Sequence, residues 1–90
     1  MKKLNLKWYE GGNLHNAKMK EWRDASEFNR LATCADFYVK FHKVNSIHFI
    51  KNEVIQLKKC IDAESTNTIL DNEQVATIAA SCLLIQKGKK

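Results

Sequence analysis

The chain has 90 residues, enough for one domain with one small core. Hydrophobic residues make up 44% and charged residues 28%, which excludes a disordered chain. There is no proline, and the three glycines are Gly11, Gly12 and Gly88, which excludes collagen-like, knottin-like and Gly/Pro-turn-rich β architectures. The formal net charge of +5 invites a nucleic-acid reading, but it is unevenly placed. Lys2, Lys3 and Lys7 stand at one end and Lys87, Lys89 and Lys90 at the other. The body from Glu10 to Gln86 has nine bases and ten acids. Within it, residues 37–60 carry a net +4 and residues 61–86 a net −4.

Taken in chain order, Lys3 to Tyr9 alternate, with Leu4, Leu6 and Trp8 on one side, so residues 3–9 read as a strand or extended arm. Gly11-Gly12 reads as a flexible joint, making residues 1–12 an arm and joint. Asn16 is the expected cap of a first helix that carries Met19 and Trp22 and ends near Asp24. Ser26 caps a second helix with the stripe Leu31, Cys34, Tyr38 and Phe41, ending near Lys43. Asn45-Ser46 then turns the chain into a third helix with the stripe Ile47, Ile50, Val54, Leu57 and Ile61. Lys51 and Lys58 fall on its solvated side.

Asp62–Asn67 is polar and reads as the main loop, followed by an extended-looking Thr66–Leu70. Asp71 with Gln74 resembles a capping box and opens the last helix. That helix is apolar on most of its circumference. Val75, Ile78, Cys82 and Ile85 form one stripe, and Ala76, Ala80 and Leu83 a second, with Ala79 and Leu84 nearby. Such a helix is either central or a subunit interface. The expectation is therefore an all-α domain spanning 1–90: four helices with the apolar C-terminal one central, an N-terminal extended arm, and a disordered basic tail at 87–90.

No apolar segment follows the basic N-terminus as a signal peptide would require, and the longest uncharged run, Gln74–Gln86, falls short of a membrane span. Cys34, Cys60 and Cys82 are odd in number and widely spaced, so free, mostly buried thiols in a cytoplasmic protein are expected.

Candidate chemistry is sparse. His15, His42 and His48 show no metal-ligand spacing with one another or with the cysteines, so no metal is expected. Gly11-Gly12 is not followed by a phosphate-loop signature, and no glycine turn could build an oxyanion hole around a cysteine nucleophile. The expectation is a non-enzyme with no catalytic residues and no cofactor.

Binding remains. Lys40, Lys43, Lys51, Lys58 and Lys59 form a basic band if the second and third helices are neighbours, although arginine, the better phosphate reader, is scarce. The hexamer Lys3-Leu4-Asn5-Leu6-Lys7-Trp8 resembles the strand of ribbon-helix-helix repressors. That resemblance implies a paired strand presenting Lys3, Asn5 and Lys7 to the DNA major groove. The Gly-Gly interruption and the number of helices depart from that family. Trp8, Tyr9 and Trp22, near the joint, are candidate anchors for a protein partner.

A broader resemblance lies in Gly12-Asn13-Leu14-His15-Asn16-Ala17, Glu21-Trp22, Ala25-Ser26 and Asn29-Arg30-Leu31-Ala32-Thr33-Cys34-Ala35-Asp36. This pattern, with the apolar last helix, resembles short bacterial accessory proteins of plasmids, phages and integrative elements, a group with no assigned activity. The resemblance implies a bacterial protein that interferes with host defence or regulates transfer. It singles out Trp22, Arg23, Asn29, Arg30 and Asp36, whose alternative role is capping and packing, with Asp36 paired to Lys40. The leading expectation is a homodimeric protein-interaction module using Trp8, Tyr9, Trp22, Arg23 and Arg30, pairing through the arm or the last helix. The alternative is a DNA-binding regulator.

Overall fold

A computed structural model of the protein describes residues 6–88, with side chains as far as Gln86. Four helices follow one another: α1 (Met19–Asp24), α2 (Glu27–Phe41), α3 (Lys51–Ser65) and α4 (Val75–Gly88). Short 3-10 turns at Ile47–Ile50 and Thr68–Leu70 precede α3 and α4. Among the described residues no strand is present, only a single antiparallel bridge between Lys18 and Gln74. The domain is all-α with four helices, as its composition requires.

Local chemistry sets each boundary. Ser26 caps α2 as expected, its Oγ accepting the Asn29 N–H at 3.1 Å. Ser46 Oγ accepts the His48 N–H at 3.4 Å and opens the turn that runs into α3. α1 starts later than Asn16 predicts. The Ala17 carbonyl accepts from Val75 N–H at 2.9 Å, and Met19 N–H donates to the Glu73 carbonyl at 2.9 Å. These bonds hold Lys18 extended, so Lys18 becomes the cap and its N–H donates to Glu21 Oε1 at 2.7 Å. Asp71 does not cap α4. Its carboxylate pairs with the Arg23 guanidinium, a stronger partner than a helix N–H, and α4 opens at Val75. The main loop also moves, because α3 continues through Asp62 to Ser65, and Thr68–Leu70 is a 3-10 turn rather than an extended piece.

The core is built around α3 rather than α4. Helix α3 touches α1, α2, α4 and both 3-10 turns, and buries Val54, Leu57 and Ile61 completely. Helix α4 packs against α2 and α3 through Val75, Ala79, Cys82 and Leu83, leaving Leu84 and Ile85 outside. The expected central position of the last helix is thus corrected. A six-residue α1 is too short to cover the second apolar side of α4 and is directed instead toward α3 by Trp22.

Three further expectations change. Cys60 and Cys82 are joined in a disulfide between α3 and α4, with Cα atoms 6.0 Å apart, and Cys34 alone is a free buried thiol. α3 and α4 run antiparallel, since Cys60 meets Cys82 and Glu53 meets Gln86. Cysteines eleven residues to either side of Asp71 are therefore brought face to face.

Gly12 is also not a hinge. A Cβ there would lie 2.4 Å from the Thr33 backbone nitrogen, so the glycine permits close approach to α2. Gly11 has φ +89°, a conformation that favours glycine.

Finally, Lys2, Lys3, Leu4 and Asn5 lie outside the described residues, while residues 7–10 form a turn. Glu10 N–H donates to the Lys7 carbonyl at 3.0 Å, and Lys7 N–H donates back to Glu10 Oε1 at 2.9 Å. At the other end, Lys87 and Gly88 continue α4, and Lys89 and Lys90 lie outside the described residues.

Candidate interaction surface

Several residues that carry the broader resemblance bind one another rather than stand free. On α2, Asn29, Thr33 and Asp36 are spaced four and three apart and share one face. Segment 13–15 runs along that face. Asn13 N–H donates to Asn29 Oδ1 at 2.9 Å, and Asn29 Nδ2 donates to Asn13 Oδ1 at 2.7 Å. Leu14 N–H donates to Thr33 Oγ1 at 3.2 Å, and His15 Nε2 lies 2.7 Å from Asp36 Oδ2. Asp36 thus pairs with His15 and not with Lys40. The pattern encodes a clamp that fastens the N-terminal segment to α2.

A second polar cluster centres on Asp62. Its Oδ1 accepts from Trp22 Nε1 at 2.9 Å and from Arg30 Nη1 at 3.0 Å, while Lys58 Nζ donates to Oδ2 at 2.7 Å. Arg30 and Lys58 also pair with Glu27. Burial by itself would lower the pKa of Lys58, but its hydrogen bonds to Asp62 and Glu27 and their charges outweigh that and hold it above the ordinary lysine value. Nearby, Arg23 donates from Nε to the Ser65 carbonyl at 2.7 Å and pairs with Asp71. Trp22 is 0% exposed. Trp22, Arg23 and Arg30, expected on a contact surface, therefore hold the core together.

Trp8 and Tyr9 are half-buried. The Lys51 ammonium lies 5.5 Å from the Trp8 ring, and Tyr9 meets His48 edge-on at 5.8 Å. They fasten the N-terminal turn to the 3-10 turn Ile47–Ile50 and to the start of α3. Asp62 was not singled out by sequence. Its one local signal was Lys58 four residues earlier on the same helix.

The lysines divide. Lys3 and Asn5 lie outside the described residues, and Lys7 is exposed. Lys58 leaves the solvated band for the Asp62 cluster, while Lys40, Lys43, Lys51 and Lys59 are exposed. Lys40 lines a shallow groove between α2 and α4, with Phe37, Phe41, Ala80 and Leu83. Lys59 lines a different, open groove of about 560 Å³ where α2, α3 and α4 meet, with Tyr38, His42, Ile85 and the disulfide. Burial, and then the charge of Glu53, raises the pKa of the Tyr38 hydroxyl at its edge.

The outstanding surface feature is apolar. On α4, Leu84 is 61% exposed and Ile85 57%, with the polar Thr77 and Ser81 exposed between them, and Ala80 is exposed on the side that it shares with Phe41 of α2. Ala76, Ala80 and Leu84 recur every four residues along α4, and the Phe37–Phe41 edge of α2 continues the strip. Ile85, expected within a buried stripe, borders the open groove instead. No group of three or more histidine, cysteine, aspartate or glutamate side chains among the described residues is placed to hold a metal ion. No helix among them is long and apolar enough to cross a membrane. No family model, curated protein or solved structure matches the chain.

Proposed function

We propose that the protein is a small, non-catalytic interaction module that pairs with a second copy of itself through the outer face of α4. The observation that carries this reading is the strip of Leu84 and Ile85 with Ala80 and Phe41, left open because α4 is packed on only two of its sides. A helix face used twice about a two-fold axis is self-complementary, and the small residues Ala76 and Ala80 allow close approach. The bacterial, mobile-element setting of this proposal rests on the resemblance of segment 12–36 and the apolar last helix. Its cytoplasmic setting rests on that resemblance and on the lack of an apolar segment after the basic N-terminus, since the Cys60–Cys82 pair removes the free-thiol argument.

Size-exclusion chromatography with light scattering tests it. A species of twice 10.4 kDa is expected for the wild type, and a monomer for Leu84→Glu. A wild type that stays monomeric at high concentration removes the proposal.

A second reading, nucleic-acid binding, is favoured by one observation. Asp36, Asp62 and Asp71 are paired inward, while no salt bridge among the described residues engages Lys40, Lys43, Lys51 or Lys59. These four exposed lysines are free to meet phosphates, although Arg23, Arg30 and Lys58 are consumed with the paired acids and the body stays near neutral. Four phosphate contacts would give a log–log salt slope of about 3–4 for duplex binding. No retention on a duplex at low salt excludes this reading.

A further inference from the structure

The Cys60–Cys82 bridge sits at an accessible place and ties the second half of α4 to α3. Both cysteines line the open groove beside Tyr38, His42, Glu53 and Lys59. Cys60 is half-buried and Cys82 is 2% exposed, so a thiolate coming through the groove meets Cys60 Sγ first. The start of α4 is fastened by backbone bonds, Val75 N–H to the Ala17 carbonyl and the bridge of Lys18 with Gln74. Its second half is held by Leu83 packing, by the disulfide, and by Gln86 Nε2 donating to the Glu53 carbonyl at 3.3 Å.

We propose that Cys60–Cys82 is a reversible redox modification site, open to small dithiols, and that its reduction releases the second half of α4 from α3. In the first step a reductant thiolate bonds to Cys60 Sγ, the S–S bond breaks, and Cys82 leaves as a thiolate that takes a proton from water. The reductant's second thiol then attacks its own sulfur in the mixed disulfide and expels Cys60. Two electrons pass to the cysteine pair, and the dithiol becomes a cyclic disulfide. Cys34 does not compete, because it is buried in the core and its thiol is held protonated. Disulfides that act inside reducing compartments are those that open and close in this way.

The test uses the full chain at neutral pH without denaturant. Dithiothreitol followed by iodoacetamide is expected to label Cys60 and Cys82 and leave Cys34 unlabelled. Hydrogen exchange at residues 82–86 should then rise about tenfold or more, with residues 75–79 little changed. Cys60→Ser/Cys82→Ser should show the fast exchange with or without reductant. Labelling of Cys60 and Cys82 only in denaturant overturns the proposal. So does labelling of all three cysteines together, or reduction that leaves exchange at 82–86 unchanged. A protein whose free Cys60 and Cys82 are not joined by oxidised glutathione overturns it as well.

Discussion

Asp62 on α3 accepts the indole N–H of Trp22 on α1 at 2.9 Å, across forty residues of chain. The same carboxylate receives Arg30 from α2 and Lys58 from its own helix. One side chain thus joins three helices, and the Arg30 and Lys58 side chains it neutralises are only 16% and 14% exposed. Asp62→Ala leaves the Trp22 indole N–H unpaired and Arg30 and Lys58 with only the exposed Glu27 as partner, and is expected to cost about 2–3 kcal/mol. Asp62→Asn keeps an acceptor for Trp22 but loses the charge, so it should fall between alanine and wild type. Urea unfolding followed by far-ultraviolet circular dichroism orders the three proteins. Equal midpoints for wild type and Asp62→Ala would show that the cluster contributes nothing net.

Arg23 makes two bonds in different directions, from Nε to the Ser65 carbonyl and from Nη2 to Asp71. A lysine ammonium can satisfy one of these but lacks the planar fork that serves both. Arg23→Lys is therefore expected to lose about 1–2 kcal/mol despite keeping its charge, the worth of one charge-assisted hydrogen bond. Thermal unfolding of Arg23→Lys beside Arg23→Ala measures it. A lysine variant as stable as wild type would mean that the second bond is dispensable.

The two adjacent glycines should respond differently to alanine. At Gly12 the new Cβ meets backbone, 2.4 Å from Thr33 N, and neither chain can yield without separating the N-terminal segment from α2. At Gly11 it meets the end of the Leu6 side chain at 2.8 Å, which can move, and the cost is mainly that of φ +89°. Gly11→Ala is expected to cost about 1 kcal/mol, and Gly12→Ala about 3 kcal/mol, at the upper end of overpacking. If Gly12→Ala proves the milder change in thermal unfolding, segment 11–16 is not clamped to α2.

Much of the fold is readable wherever local rules act alone. The cap at Ser26, the end of α1 at Asp24 and the stripe from Val54 to Ile61 follow from side-chain chemistry within a few residues. Misreadings occur where a distant partner outcompetes a local one. Asp71 stands three residues before Gln74 but meets Arg23, and Asp36 has Lys40 four residues away but meets His15. Gly12 reads as a joint because α2, which it contacts, is invisible from its neighbours in the chain. The disulfide depends on where the loop between α3 and α4 is centred, and placing that loop at Asp62–Asn67 hides the symmetry of Cys60 and Cys82. The candidate surface is least readable of all. A helix apolar on most of its circumference reads as either central or an interface, and only the path of α3 decides which of its sides is left open.

Stability should fall in alkali, beginning with Cys34. Burial, and then the charge of Asp62, raise the pKa of its thiol well above the ordinary 9.0, with Lys58 opposing. The folded protein therefore keeps a proton that the unfolded chain releases above pH 9. Stability present below that pH is lost as pH rises, at about 1.4 kcal/mol per unit for a group that stays protonated. Tyr38 and Lys58, also raised, act with the same sign from about their ordinary values of 10.0 and 10.5. Urea midpoints at pH 8, 9 and 10 check this, with the disulfide kept intact. Cys34→Ala should be less stable than wild type at pH 8, because a buried group is lost, yet its midpoint should decline less between pH 9 and 10. Parallel curves for the two proteins would mean that Cys34 ionises in the folded state as readily as in the unfolded one.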